Sequence, residues 1–554
     1  MDQLVMTYRE LDRDLAILYA QLNSIGQFER KLFLPTTEAK ETFTATLQQL
    51  NDRIDALPAP DPVYALLKRH FADFSQLLVF SLAQFYERPF HPVQLLTRRY
   101  DHLVRTDSRS SLERADMLTE LLNQSRALYH AITAWLPDVD ASRLNEALNL
   151  STSSVPMFRS GAEKIDAGFP GLPAKAYDAL HDALLFGAAE LEDFSVKLSA
   201  ALAEKGSVAQ FDDSSIVALT EAEYRDALWS QHGVELDELL AWHQEEIEKT
   251  RAAVFEVASH LPLARKAPRT MREVNDVLLE FAGPCDTPEE MLARGRNYIQ
   301  RTKAEAKKYV HFPEEECLVG PVFESLKDSY PWGGYGRGCP LRRPLRGEMF
   351  LNTYNYRAVT DGWIKMNTIH EAYPGHHVQF VRVTLDPIPE TLKIGAKHTP
   401  LLEGPCHRSE KLIEHVFEED PYFPLFVAYR RHHTAVRIKA DLLIRYFGRP
   451  LGDAVQLYVD ELDFDRGTSR GQVLAQVRMS GYFNSYYYGY KKLVTWEKEM
   501  GFDSREYTEL LFSPGRMSMD NFHSYLLLSP EDRKRLEHDF ASLLQFDENY
   551  KERV

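Results

Sequence analysis

Apolar residues recur with a helical period over most of the chain. In the first clear segment they fall at i, i+4, i+7 and i+11, at Leu11, Leu15, Leu18 and Leu22, which is the spacing of one buried stripe on a helix. Stripes of the same kind occur in three further segments, 65–85, 112–136 and 176–202. Clusters of proline interrupt the pattern at 57–62 and 168–173. The pattern predicts a succession of amphipathic helices from Met1 to about Ser259.

The amino-acid composition changes between Cys317 and Thr353, where glycine and proline are too frequent for a helix. Short apolar runs at 318–319 and 349–351 are typical of strands. The glycine-rich stretch 331–338 is expected to be a surface loop, with a mobile lid over a functional site as the alternative. After Asp361 the helical period returns. The sequence therefore predicts a mainly α-helical protein with a small β element.

The segment Asn352–Asn355 allows two interpretations. As an edge strand beside the helix that follows, it would offer unpaired backbone groups to an extended peptide. As an ordinary strand end, it would only turn the chain. The sequence does not separate these two interpretations.

The chain has 554 residues, of which 44% are hydrophobic and 27% are charged. This composition is typical of globular proteins, and this length exceeds one small hydrophobic core. We expect a helical N-terminal region over residues 1–245 and a catalytic region over residues 246–554, with an approximate boundary. One continuous helical unit is the alternative.

Charge and cysteine content narrow the class of partner and the compartment. The net charge of −17 argues against electrostatic binding to nucleic acid or to an anionic membrane. Four cysteines without paired spacing, Cys285, Cys317, Cys339 and Cys406, are expected to be free thiols rather than a disulfide framework. Neither a signal peptide nor a long apolar segment is evident, so a cytoplasmic protein is expected.

One short stretch concentrates reactive side chains, from Ile369 to Gln379. It contains His370, Glu371, His376 and His377 around a Pro-Gly pair. Two histidines with a glutamate next to the first are typical of a zinc site that carries its own base. The usual spacing places the second histidine at i+4, but that position is Pro374.

The second imidazole ligand is therefore His376 or His377. On a regular helix His377 would share the face of His370 but lie on the order of 10 Å along the axis, whereas His376 would be turned by roughly 120°. Either ligand requires the helix to bulge or break, and Pro374 and Gly375 are placed to make it do so.

A third ligand is expected from the segment 401–412. Glu403, Glu410 and Glu414 lie near one face at helical spacing, and a carboxylate there can bind a metal while the next one orients a ligand. Glutamates at this spacing also occur on ordinary solvated faces, so the histidine motif carries the argument. His432 and His433, in a run with two arginines, are expected on the surface.

Four ordered motifs together resemble the bacterial DUF885 family, whose members resemble gluzincin-type zinc metallopeptidases. They are the His370–Gln379 run, Glu403-Gly404 with Glu410-Lys411-Leu412, the strand-like Gly347–Thr353, and Ser485–Gly489. The chain departs from the family pattern at Pro405, at His407-Arg408 and at Ser480-Gly481-Tyr482. These departures concern the shape of the substrate pocket and not the metal ligands.

The resemblance implies a large zincin-like helical assembly with Zn²⁺ as its cofactor. His370, His376 and Glu403 would bind the ion, Glu371 would act as general base, and Tyr486 would donate to the developing oxyanion. The roles of Glu410, His407 and Tyr488 remain open, and the tyrosines around Tyr486 are equally compatible with plain packing.

The function expected on this basis is zinc-dependent hydrolysis of a peptide or small amide substrate. A catalytically inactive zincin fold used as a binding scaffold is one alternative, which the presence of Glu371 disfavours. A metal-dependent hydrolase of non-peptide amides or esters is the other. The oligomeric state does not follow from the sequence.

Overall fold

The computed structural model describes residues 3–206, 220–322, 327, 330–340 and 343–544. Helices dominate, as predicted. The first nine helices are α1 (Gln3–Asn23), α2 (Thr37–Ala56), α3 (Pro62–Glu87), α4 (Phe90–Arg105), α5 (Ser111–Asn123), α6 (Ser125–Thr133), α7 (Ala141–Glu163), α8 (Ile165–Gly168) and α9 (Ala174–Glu204). The stripe predicted in α1 is buried at all four leucines.

Helix ends follow local sequence signals. Helix α3 begins where the carboxylate of Asp61 accepts hydrogen bonds from the backbone N–H groups of Val63 (2.9 Å) and Tyr64 (3.2 Å). Pro62 occupies the first helical position, where no N–H partner is needed. The proline-rich stretch before it therefore ends one helix and starts the next.

The middle of the chain carries four more helices and a small sheet. The helices are α10 (Glu221–His232), α11 (Leu236–Ser259), α12 (Met271–Phe281) and α13 (Pro288–Ala306). The strands are β1 (Glu315–Pro321), β2 (Gly333–Gly336) and β3 (Leu345–Leu351). Both strands predicted from apolar runs are confirmed. The glycine-rich stretch expected to be a surface loop contains β2, so that expectation was wrong.

The three strands are ordered β1-β3-β2. Strand β1 runs parallel to β3 with Glu315 opposite Leu345, and β2 runs antiparallel to β3. Strand β3 is therefore central, and Asn352–Asn355 does not continue as an edge strand. The side-chain amide of Asn352 instead donates to the carbonyls of Lys327 (2.8 Å) and Tyr330 (2.9 Å). The edge-strand interpretation was wrong, and Asn352 turns the chain.

Eleven more helices complete the described C-terminal part. They are α14 (Asp361–Asn367), α15 (His376–Leu385), α16 (Glu390–Ile394), α17 (Thr399–Leu412), α18 (Phe423–Arg445), α19 (Leu451–Leu462), α20 (Arg466–Arg478), α21 (Asn484–Met500), α22 (Ser504–Phe512), α23 (Met519–Leu526) and α24 (Pro530–His538). None of the described helices combines the length and the hydropathy that a bilayer crossing requires. The four cysteines are free thiols, as expected.

Two hydrophobic cores organise these elements. The larger joins apolar residues from segment 5–86 to those of segment 224–540. The smaller lies mainly within segment 93–202. Helix α1 is tied to the C-terminal part by Asp12, whose carboxylate accepts hydrogen bonds from the backbone N–H groups of Glu390 (2.8 Å) and Thr391 (2.9 Å). The predicted boundary at 245/246 falls inside α11 and stays a prediction.

Candidate metal centre

The motif run sits where one helix ends and the next begins. Helix α14 continues into a π-helical turn, Thr368–Ala372, which carries His370 and Glu371. The Tyr373–Pro374 peptide bond is cis, and α15 begins at His376. The sequence predicted a bulge or a break in the helix here, and both are present. The π-helical turn is the bulge, and such turns are frequent at functional sites.

Gly375 allows the chain to turn back against the π-helical turn. A Cβ atom at this position would lie 2.0 Å from the carbonyl oxygen of His370 and 2.4 Å from that of Ile369. Only glycine permits such a close backbone approach. The result is that the rings of His370 and His376 lie 5.1 Å apart, nearly perpendicular to each other.

Glu403 faces both of these imidazoles from α17. Its Oε2 atom lies 3.3 Å from Nε2 of His370 and 3.4 Å from Nε2 of His376. One potential ligand atom from each of the three residues lies within 4.8 Å of the other two. The structure thus brings together the three residues predicted as metal ligands, while the metal itself remains a prediction. The cluster of His370, His376 and Glu403 is called the metal centre below.

The outer nitrogens of the two imidazoles are held by other side chains. Nδ1 of His370 donates to Glu410 at 2.8 Å, and Nδ1 of His376 donates to Gln379 at 2.9 Å. A hydrogen bond on Nδ1 fixes the ring orientation and directs the Nε2 lone pair to a metal. This arrangement accounts for Glu410, whose role the sequence left open.

Glu410 is itself supported by His407. Nδ1 of His407 donates to the second Glu410 oxygen at 2.8 Å, and the Thr434 hydroxyl donates to Nε2 of His407 at 2.9 Å. Burial lowers the pKa of His407 to about 4, so its ring is neutral and can both donate and accept. His407 therefore positions Glu410 and does not face the metal centre.

His377 points away from the metal centre. Its Nε2 atom is hydrogen-bonded to the carboxylate of Glu315 on β1, and its Nδ1 atom lies 2.9 Å from the Tyr335 hydroxyl on β2. Gly347 of β3 leaves room for the His377 ring, because a Cβ at position 347 would lie 2.7 Å from Nδ1 of His377. The structure thus places His376, and not His377, against His370 and Glu403.

Helices α17 and α21 approach each other closely through two glycines. A Cβ on Gly404 would lie 2.7 Å from the carbonyl carbon of Gly489, and one on Gly489 would lie 2.2 Å from the carbonyl oxygen of Pro400. This contact explains why a glycine follows Glu403 and another ends the tyrosine-rich segment. It brings the start of α21 against Glu403.

Tyr482 is a site residue that the sequence reasoning missed. Its hydroxyl donates to Oε1 of Glu403 at 2.5 Å, which leaves Oε2 directed at the two imidazoles. Tyr482 lies before α21, at a position where the chain departs from the family pattern, so the motif gave no signal for it. The proximity of Glu403 became visible only with the helix packing.

Tyr486 lies against the metal centre as predicted, and its role is untested. Its ring stacks on His370 with a centroid distance of 5.8 Å and an interplanar angle of 10°. Its hydroxyl hydrogen-bonds with that of Tyr482, and burial raises the pKa of Tyr486 well above its ordinary value. Tyr486 therefore keeps its proton at neutral pH and can donate a hydrogen bond. Tyr488 faces α11 instead, where its hydroxyl accepts from the backbone of Glu235.

The metal centre strongly favours positive charge. Burial lowers the pKa of His370, but Glu403, Glu410 and Glu371 outweigh this and raise it to about 10. Burial alone would raise the pKa of Glu403, but His376 and His370 hold it well below its usual range. Two imidazole nitrogens and a carboxylate oxygen are the donor set of catalytic zinc sites with three protein ligands. The residues present therefore fit a zinc ion.

Not every residue of the site is fully buried. The carboxylate of Glu371 is half-buried, and its charge acts on the neighbouring His370. The side chain of His376 is 15% exposed, and Tyr482 and Tyr486 are half-buried. Four residues of the site thus keep part of their surface accessible to solvent.

His432 and His433 are buried, not on the surface, so that expectation was wrong. Nδ1 of His432 lies 2.9 Å from the Thr250 hydroxyl, and the ring of His433 packs edge-on against Trp332 and Phe464. The charged and polar residues around these histidines suggested an exposed helix face, but α18 has buried residues on nearly all sides.

Comparison with known structures supports the fold over nearly the whole chain. A "putative lipoprotein" from Colwellia psychrerythraea matches with a TM-score of 0.73 and 16% identity, covering 97% of this chain and 99% of the other. A putative lipoprotein of unknown function from Shewanella oneidensis matches with a TM-score of 0.71 and 13% identity, covering 95% and 99%. At these identities the likeness concerns the fold alone.

No curated protein matches this chain. The family model described as DUF885, a bacterial protein of unknown function, matches residues 21–524. This match includes the motif run, the sheet and the segments that bring Glu403 and Tyr486 to the metal centre. The chain therefore belongs to the DUF885 family.

Proposed function

We propose that this protein is a zinc-dependent hydrolase, and specifically a metallopeptidase. The observation that carries the proposal is the convergence of His370, His376 and Glu403, with one ligand atom of each within 4.8 Å of the other two. The hydrogen bonds of Glu410 and Gln379 to the outer imidazole nitrogens support it, because such bonds are typical of metal-binding histidines.

Glu371 would act as the general base. A zinc ion held by His370, His376 and Glu403 would act as a Lewis acid and lower the pKa of a water molecule to about 7. Glu371 follows His370 in sequence, is only half-buried, and its charge acts on the His370 imidazole. Its carboxylate would accept the proton of the attacking water and pass it to the leaving amine.

Tyr486 would stabilise the oxyanion that forms when the carbonyl is attacked. Its ring is fixed against His370, and it stays protonated because its pKa is raised by burial. A fixed phenol donor in a water-poor site is an effective partner for developing negative charge. Tyr482 has a different task, since its hydroxyl holds the Glu403 oxygen that faces away from the imidazoles.

The proposal is tested by assaying a mixed peptide library with protein that carries zinc, and with the Glu371→Gln variant. Loss of the base is expected to lower turnover by about 10²- to 10⁴-fold, while zinc content is unchanged. Glu418→Gln, at an exposed position, is the matched control and should retain full activity.

The possible outcomes separate the alternatives. Hydrolysis that survives in Glu371→Gln removes this residue from the mechanism. Zinc binding without hydrolysis of peptides, other amides or esters would favour the inactive scaffold. Hydrolysis confined to esters or non-peptide amides would retain the metal chemistry and reject the peptidase.

A further inference from the structure

Two buried arginines of α18 lie beside the metal centre. Arg430 and Arg437 are seven residues apart and so share one face of the helix. They are 5% and 4% exposed. Their guanidinium carbons lie 5.6 Å and 5.3 Å from the ring centroid of Tyr486, the ring that stacks on His370.

Their charge is poorly compensated within the described residues. Arg437 forms no ion pair there. Gln472 accepts a hydrogen bond from its Nη2 atom at 3.2 Å, Tyr458 also hydrogen-bonds with it, and the rings of Phe483 and Tyr486 pack against it. Arg430 has one distant carboxylate, since its Nε atom lies 3.9 Å from Glu410. That carboxylate is already shared by His370 and His407.

Several of their donors are also unused. The buried Nε and Nη1 atoms of Arg430 and the buried Nε atom of Arg437 have no hydrogen-bond partner among the described residues. Burial, together with the charge of Arg430, lowers the pKa of Arg437 to about 10, so Arg437 still carries its charge at neutral pH. A buried cation with unused N–H groups destabilises the protein unless an anion joins it.

We propose that Arg430 and Arg437 bind a carboxylate of the substrate while its scissile bond lies at the metal centre. The inference rests on the proposed function for the location of that bond. Guanidinium groups bind carboxylates through paired N–H donors, which lysine does not do as well. The class of substrate is thus a peptide with a carboxylate near the bond that is cleaved.

The distances limit where that carboxylate lies in the substrate. The guanidinium of Arg437 lies 5.3 Å from the centre of the Tyr486 ring, which lies 5.8 Å from the centre of the His370 ring. An extended chain spans about 3.5 Å per residue. The carboxylate therefore lies within about three residues of the scissile bond. It is either the C-terminal carboxylate of a peptide or the side chain of an acidic residue.

Calorimetric binding to zinc-free full-length protein tests this inference without any need for turnover. The three probes are N-acetyl-dialanine with a free carboxylate, the same dipeptide as its amide, and a dipeptide amide whose second residue is aspartate. We expect at least one of the two carboxylate probes to bind tenfold or more tightly than the neutral amide. Preference for the first probe identifies a C-terminal carboxylate, and preference for the third identifies an acidic side chain.

Variants distinguish carboxylate binding by Arg437 from a general effect of nearby positive charge. Arg437→Met should abolish the preference for carboxylate, and Arg437→Lys should retain only part of it because the paired donors are lost. Arg431→Met is the matched control, since the guanidinium of Arg431 lies over Tyr490 at 4.1 Å on another face of α18. Arg431→Met should leave the preference intact.

Equal binding of acid and amide by the unaltered protein would overturn the inference, whether or not the variants fold. An undiminished preference in Arg437→Met would overturn it as well. Failure of the zinc proposal would instead appear in metal content and hydrolysis, which this binding experiment does not use.

Discussion

Nδ1 of His370 and Oε1 of Glu410 lie 2.8 Å apart, while Nε2 of the same imidazole faces Glu403. The hydrogen bond fixes which nitrogen carries the proton and therefore which one is free to bind a metal. Glu410 also accepts from His407 through its other oxygen, so both of its oxygens are engaged.

Glu410→Gln should weaken zinc binding by about 10- to 100-fold, which is typical for the loss of a hydrogen-bond partner of a metal-binding histidine. An amide offers one acceptor oxygen, so it cannot accept from His370 and His407 together. Zinc affinity is measured by competition with a chromogenic chelator. Glu414→Gln is the control, because Glu414 pairs with the exposed Lys411; equal affinity of the two variants would contradict the orienting role of Glu410.

Gly375→Ala should disrupt the metal centre with little loss of helix. The added Cβ would lie 2.0 Å from the carbonyl oxygen of His370, so the backbone must move and carry His376 away from its partner. Gly452→Ala, where a Cβ meets nothing within 4 Å, is the matched control. Zinc content by mass spectrometry should fall in the first variant only, and a full complement of zinc in Gly375→Ala would refute the claim.

The adjacent histidines should separate metal binding from stability. His376→Ala is expected to lose zinc with little change in the free energy of unfolding. His377→Ala is expected to keep zinc but to lose about 2 kcal/mol of stability. It removes one of three partners of the buried Glu315 carboxylate, whose other partners are Lys303 and Tyr373. Zinc content and urea unfolding measure the two effects, and the reverse pattern would assign the metal to His377.

Much of this arrangement was visible in the sequence, for reasons that particular residues make clear. The leucine stripe of α1 predicted its helix because burial of one face imposes a period of 3.6. The short apolar runs of β1 and β3, bounded by glycine and proline, predicted two strands. Pro374 and Gly375 predicted the interruption of the helix. They did not decide between His376 and His377, because the partner of His377 is Glu315, on a strand 62 residues earlier in the chain.

Other features depended on packing that the local pattern does not encode. Tyr482 reaches Glu403 because two glycines let α17 and α21 approach each other. His433 was predicted on the surface because it follows two arginines, yet it is buried because neighbouring elements enclose α18. In both cases the decisive contact comes from residues distant in sequence.

Stability should depend on pH through His70, which is fully buried in α3. Burial lowers the pKa of its imidazole from 6.5 to about 4 in the folded state. The unfolded chain therefore binds the proton more readily between these values, so the contribution of His70 is complete above pH 6.5 and is lost as the pH falls towards 4. About 2 kcal/mol of the free energy of unfolding should be lost between pH 7.5 and 5 through this group.

Urea unfolding of His70→Leu at the two pH values measures this contribution. The pH dependence should be smaller than that of the unaltered protein by about this amount. His538→Leu, at an exposed position, should leave the dependence unchanged. An identical dependence in His70→Leu and in the unaltered protein would show that His70 does not contribute.

The central claim is that His370, His376 and Glu403 hold a zinc ion. A crystal structure of protein supplied with zinc, with anomalous data collected at the zinc absorption edge, tests it most directly. We expect one strong peak per chain, about 2.0–2.2 Å from Nε2 of both histidines and from Oε2 of Glu403. No peak at this position at saturating zinc, or a peak bound to His377 in place of His376, would contradict it.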